Sequence, residues 1–246
     1  MAHWERMVSL LDSSDVFNQL ARNQTYDLNG NLTSDGTATY SYDSENRLLG
    51  TQQTAHSTQN TYDPFGRRIS KSVDGIATFY LYDADQVIAE TDAAGILKKK
   101  HVYGPGIDEI LRTTDYGLST DYFYHADGLG SIVALTDASG AVVERYAYDV
   151  YGKPSITDGV GNVLPQSAFG NRFLFTGREY DTETGLYFHR ARYTDPKLGR
   201  FLQRDPSPSD LNLYRYTLDL LRNWFFKHTV RRSLSTENLL RNKSIQ

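Results

Sequence analysis

Two aspartates, each followed by proline, stand ten residues apart in ARYTDPKLGRFLQRDPSPSD (191–210). Carboxylates close enough to share a proton divide into a base toward water and an acid toward an amide. Asp195 and Asp205 are therefore the first place to look for hydrolytic chemistry. They are not alike. Asp195-Pro196 runs into Lys197-Leu198-Gly199-Arg200, where proline presets a turn and glycine closes it, so Asp195 reads as a corner. Asp205-Pro206 is followed by SPSD, with a second proline and no glycine. Turn chemistry does not explain Asp205.

Other chemistries find little support. The chain has no cysteine, which removes disulfides and thiolate zinc sites. DLNGN (27–31) starts like a calcium loop, but Leu32 stands where that loop needs glycine. His101, His125 and His189 are scattered over expected strands and read as packed or exposed side chains, not ligands. Neither a phosphate-cradling glycine loop nor a local Ser-His-Asp signature is present. No cofactor and no metal are expected. No run approaches the ~18 apolar residues of a membrane span. The opening MAHWERMVSLLDSSDVFNQLARNQ lacks a signal-peptide layout.

The elements that would position Asp205 are legible as a repeat. Asp, two free positions, then Gly or Asn recur as DLNG (27–30), DSEN (43–46), DPFG (63–66), DAAG (92–95), DGLG (127–130), DASG (137–140) and DVYG (149–152). This is type I turn chemistry, with a left-handed residue to close a hairpin. Asp-Gly pairs at 35–36, 74–75 and 158–159 fit tighter, two-residue turns. The chain holds 18 Tyr, and YSYD, YLYD, YFYH and YAYD place two of them on one strand face. Marked tyrosines at 26, 42, 62, 82, 103, 124 and 148 recur with a period near 20, which is two strands and two turns. The expected fold class is mainly β: an array of antiparallel β-hairpins over 26–206 in a curved or spiralling sheet, its tyrosines stacked as a ladder.

The ends differ. Trp4, Met7, Val8, Leu11, Val16, Phe17 and Leu20 suit an amphipathic helix within a helical segment, 1–25, that caps the first hairpin. Residues 207–246 carry seven Lys and Arg against three Asp and Glu, on a chain whose net charge is −4. Tyr214, Leu218, Leu221, Phe225 and His228 align on one helical face of this basic tail. Short helices are thus expected at both termini.

The units YDLNGNL, YDSENRL and YDPFGRRI resemble the YD repeats of the bacterial Rhs family. YFYHADGLGSIVALTDASGAVVERYAYDVYGKP and FTGREYDTETGLYFHRARYTDPKLGRFLQRDP resemble the Rhs repeat-associated core segment. Related repeats occur in the C-subunits of insecticidal toxin complexes and in teneurins. The resemblance implies hairpins spiralling into a hollow shell around a C-terminal toxin, often freed by self-cleavage. It implies that Arg204 and Asp205 match one half of an aspartic self-protease, Arg204 setting the electrostatics of Asp205. The other half, an Asp-Pro-x-Gly-Leu segment, is absent after Tyr216; the only aspartates past Asp205, Asp210 and Asp219, have other neighbours.

Seven marked units give about fourteen strands and, at ~4.8 Å each, a strip ~70 Å wide, too little to enclose a folded enzyme. The first expectation is a non-catalytic structural fragment of an Rhs-type toxin-delivery shell, without a functional toxin domain. Its partners would be upstream shell repeats, a cognate toxin or immunity protein, and the secretion apparatus of a type VI or related route. It would be cytoplasmic before export, then secreted or at the cell surface by a route without a signal peptide. A cell-surface carbohydrate-binding module, with outward tyrosines stacking on sugars, is the alternative, and a residual self-protease the third. No nucleic-acid partner is expected.

Overall fold

The computed structural model describes residues 23–206 and 212–216. The helical segments expected at both termini lie, apart from residues 23–25 and 212–216, outside the described residues. Among those, fifteen strands from β1 (Thr25–Tyr26) to β15 (Val163–Leu164) form one sheet in strict sequence order, every neighbouring pair antiparallel. The turn formula explains why. In each unit the fourth residue donates its backbone N–H to the carbonyl of the Asp, as Gly66 does to Asp63 at 3.0 Å. The Asp63 carboxylate accepts the N–H groups of Phe65 and Arg67, both at 2.9 Å. That arrangement is a three-residue hairpin loop whose glycine sits at positive φ. Asp74-Gly75 is the two-residue turn expected, both residues at positive φ. Asp158-Gly159 is not: Gly161 donates to Asp158, so DGVG repeats the longer formula.

After most of these turns the register slips by one residue, which places Thr33, Leu49, Ile69, Ile88 and Val133 in bulges. A bulge strengthens local twist. It also leaves room beside a backbone carbonyl, and the next unit's tyrosine fills it. Tyr42 donates to the Leu32 carbonyl at 2.8 Å, Tyr62 to Leu48 at 2.8 Å, Tyr82 to Arg68 at 3.0 Å and Tyr148 to Ile132 at 2.5 Å. Each of these carbonyls lies five residues after a turn aspartate, so the bonds tie each unit to its predecessor.

The first tyrosine of each paired motif, YSYD, YLYD, YFYH and YAYD, faces inward. Tyr40, Tyr80, Tyr122 and Tyr146 are between 1% and 6% exposed. What covers them is not the array itself. Past Leu164 the chain leaves the first sheet, makes a short 3-10 turn at Phe175–Gly177, and builds a second sheet. Its strands are β16 (Glu179–Asp181), β17 (Leu186–Phe188), β18 (Tyr193–Asp195) and β19 (Arg200–Phe201). The continuous array expected to residue 206 therefore divides in two, with a physical cause. Every residue of β17 and β18 is buried, so these strands read as a fully covered layer, not as half-exposed hairpins. Tyr148 meets Phe175 at 5.4 Å and Tyr62 meets Phe188 at 6.4 Å between ring centroids. Two apolar clusters fill the seam, one around Tyr122, Leu135, Phe173 and Tyr187, the other around Leu32, Leu48, Leu186 and Tyr193.

Candidate functional site

Arg204 and Asp205 lie where the bridging segment returns to the first hairpin. Leu32 donates its backbone N–H to the Leu202 carbonyl at 2.9 Å, and Asp205 donates its own to Leu213 at 2.8 Å. The Asp205 carboxylate pairs with Arg192 at 2.9 Å. The aliphatic stem of Arg204 covers Gly30, whose positive φ and missing side chain permit the contact. Asp195 closes its corner as expected: its carbonyl accepts from Gly199 at 2.8 Å and its carboxylate from Lys197 at 2.7 Å. Burial pushes the Asp195 carboxyl up from its usual range. The structure thus holds the two aspartates by different partners. Asp210 and Asp219 lie outside the described residues.

A stronger concentration of charge was not legible as a motif. Arg68 is fully buried and forks onto Asp181, with Nη1 at 2.5 Å from Oδ2 and Nη2 at 3.1 Å from Oδ1. Nη2 also reaches Glu179 at 2.7 Å. Its guanidinium lies 4.5 Å from the Phe188 ring centre, and Lys71 binds Asp181 at 2.7 Å from the other side. Burial disfavours the Asp181 carboxylate, but Arg68 and Lys71 outweigh it and hold the group well below the usual carboxylate range. Arg172 repeats the device, bridging Glu90 at 3.0 Å and Glu179 at 2.7 Å. Glu90 is held low against burial by Arg172 and His101. A signal for Arg68 did exist. It occupies the inward position, five after the turn aspartate, that holds Leu32, Leu48 and Ile132 in other units.

Glu90, His101 and Thr113 form a line of acid, imidazole and hydroxyl, with His101 Nε2 2.9 Å from Glu90 and Nδ1 2.8 Å from Thr113 Oγ1. The order matches a hydrolase triad, but the geometry cannot serve one. Thr113 is wholly buried and its hydroxyl is shared with Tyr124 at 2.9 Å. His125 bonds Thr136 at 3.0 Å in β11 (Thr120–Ala126). His189 lies just past β17, not in a strand, and bonds Thr194 at 2.8 Å. Burial, with Arg178, Arg192 and Arg190 nearby, lowers the His189 imidazole to about 3. Among the described residues no group of three acidic or histidine side chains is arranged to hold a metal. No helix among them is long and apolar enough to cross a membrane.

Comparison with known proteins agrees with this architecture. A family model described as the teneurin YD-shell matches residues 10–221. The tRNA3(Ser)-specific nuclease WapA of Bacillus spizizenii is 37% identical over 219 residues, covering 83% of this chain and 9% of its own length. Double-stranded DNA deaminase toxin A of Burkholderia cenocepacia is 24% identical over 232 residues, 78% of this chain and 16% of its own. Among solved structures, TcdB2-TccC3-Cdc42 superposes with a TM-score of 0.61 at 17% identity, covering 78% of this chain and 10% of that one. TcdB2-TccC3 without its hypervariable C-terminal region gives 0.60 at the same identity and coverage. The chain spans about a tenth of the length of the WapA proteins and solved chains it matches. A family model covering most of the chain, on a hairpin array with YD turns, has one reading: the chain belongs to the teneurin YD-shell family.

Proposed function

We propose that this chain is a structural, non-catalytic part of the wall of an Rhs-type toxin-delivery shell used in interbacterial competition. The observation that carries the reading is the use made of its polar chemistry. The inward tyrosines bond to carbonyls of neighbouring units, and the buried charges of Arg68, Arg172, Glu179 and Asp181 join the two sheets. The names of relatives give nuclease and deaminase activities, but this chain matches only a small share of their length. In this reading such activities reside elsewhere in those polypeptides. The partners are further YD repeats and a toxin or its immunity protein, and the shell is an exported one. The carbohydrate-binding alternative required outward tyrosines, whereas the paired tyrosines are buried or half-buried, so it is not proposed.

For Arg204 and Asp205 the proposed role is to pin the returning chain to the first hairpin. The test is direct. Purified protein kept for days between pH 4 and 8 is expected to run as one full-length band and to leave tRNA and double-stranded DNA unchanged. Asp205→Asn is expected to behave identically on the gel. Two products that vanish in Asp205→Asn would restore self-cleavage, and altered nucleic acid would overturn the non-catalytic reading.

A further inference from the structure

Turns that join an odd strand to the next even one share one rim of a sequentially ordered antiparallel sheet. On that rim the bridging segment seats itself on glycines. Tyr214 donates its phenol to the Gly30 carbonyl at 2.6 Å, and a Cβ on Gly30 would stand 2.7 Å from that oxygen. Tyr187 donates to the Gly152 carbonyl at 2.8 Å, with the Phe175 ring where a Cβ would project. Gly130 is approached by the backbone of Thr176 at 4.0 Å. Gly66 has the same turn and a φ of 80°, yet among the described residues nothing lies within 4 Å of its Cβ position.

The vacancy has walls. Clefts of about 80 Å³ and about 560 Å³ meet there, both lined by Phe65, Gly66 and Arg190. Phe65 is 85% exposed, and the Arg67 guanidinium lies 5.4 Å from its ring and 5.1 Å from that of Tyr82. A phenylalanine left in water forgoes the gain of burying its ring, so a large exposed ring beside a cleft marks a surface for covering. The turns at Gly30 and Gly152 state what fits: a tyrosine whose hydroxyl reaches the glycine carbonyl. This chain cannot supply it, because all 18 of its tyrosines lie between Tyr26 and Tyr216 and are already placed.

We propose that the Asp63–Gly66 turn is a docking socket for a tyrosine on an extended peptide segment from outside these 246 residues. Its phenol donates to the Gly66 carbonyl and its ring lies against Phe65 and Arg67. The probe is a fluorescent hexapeptide, LNLYRY, copied from residues 211–216, which seats Tyr214 on Gly30 in cis. Titrated into the intact chain, it is expected to bind saturably. Gly66→Asn fills the socket yet keeps the turn, since Asn46 holds that position at a φ of 63° in the DSEN unit. This variant is expected to weaken binding at least about tenfold. Phe65→Ala, which leaves the turn backbone alone, is expected to weaken it too, as is a peptide with phenylalanine for both tyrosines. Absence of saturable binding, or binding unchanged in both protein variants, would overturn the socket. Neither result bears on the wall reading, which the gel and nucleic-acid assays score separately.

Discussion

Arg68 shows how one side chain couples the two sheets. It replaces an aliphatic residue at an inward position, and its guanidinium carries Asp181, Glu179 and a stacked ring at once. Removing one partner of a buried ion pair costs about 3–5 kcal/mol, because the other charge stays buried and unpaired. Arg68→Met is expected to lose that much in urea unfolding, and Arg68→Met with Asp181→Asn to recover part of it. An unfolding midpoint equal to the parent's would show that Asp181 finds water. At this scale the sequence was only partly legible. Asp195 was readable as a corner because the bonds that close it come from residues 197 to 199. The ion pair of Asp205 with Arg192 was not, since Arg192 lies thirteen residues back and reaches it through tertiary packing.

Within each unit, aspartate and tyrosine divide the work. The aspartate fixes the loop by accepting N–H groups two and four residues on, and the tyrosine ties the unit to its predecessor through a carbonyl beside a bulge. Tyr148→Phe leaves the ring in place but removes the bond to Ile132, so about 0.5–1.5 kcal/mol of stability should disappear with little change in circular dichroism. A loss below that range would mean that water replaces the hydroxyl. Hairpins, turns and the placing of paired tyrosines on one strand face were legible because their signals are local, whereas which face is covered was not. The fate of residues 173–216 was not. Turn chemistry states that two strands are antiparallel neighbours but not which layer they join. DGVG was misread for a related reason: Asp158-Gly159 alone suits a two-residue loop, and only the bond from Gly161 decides between the two.

For the whole molecule, acid should act through imidazoles before carboxylates. His189 is kept neutral by burial and by Arg178, Arg192 and Arg190, so its folded value lies below the unfolded one of about 6.5. In that interval the unfolded chain takes up a proton that the folded chain refuses, and stability falls as pH falls. His101, lowered by burial despite Glu90, adds in the same direction. Asp181 and Glu90 are depressed carboxyls, whose contribution is complete above the ordinary carboxylate range and lost only in stronger acid. Between pH 6 and 5, unfolding free energy should therefore drop by up to about 1.4 kcal/mol through His189, and His189→Gln should flatten the slope. An unchanged slope would place the protonation elsewhere. The two occupied glycines carry a last consequence. A single bridging segment grips the turn at Gly30 and the turn at Gly152, so it works as a caliper with fixed jaws. Inserting or losing a hairpin between those jaws would pull one grip off its mark. Relatives that lengthen this wall should therefore grow it ahead of β1, leaving the interval between the jaws constant.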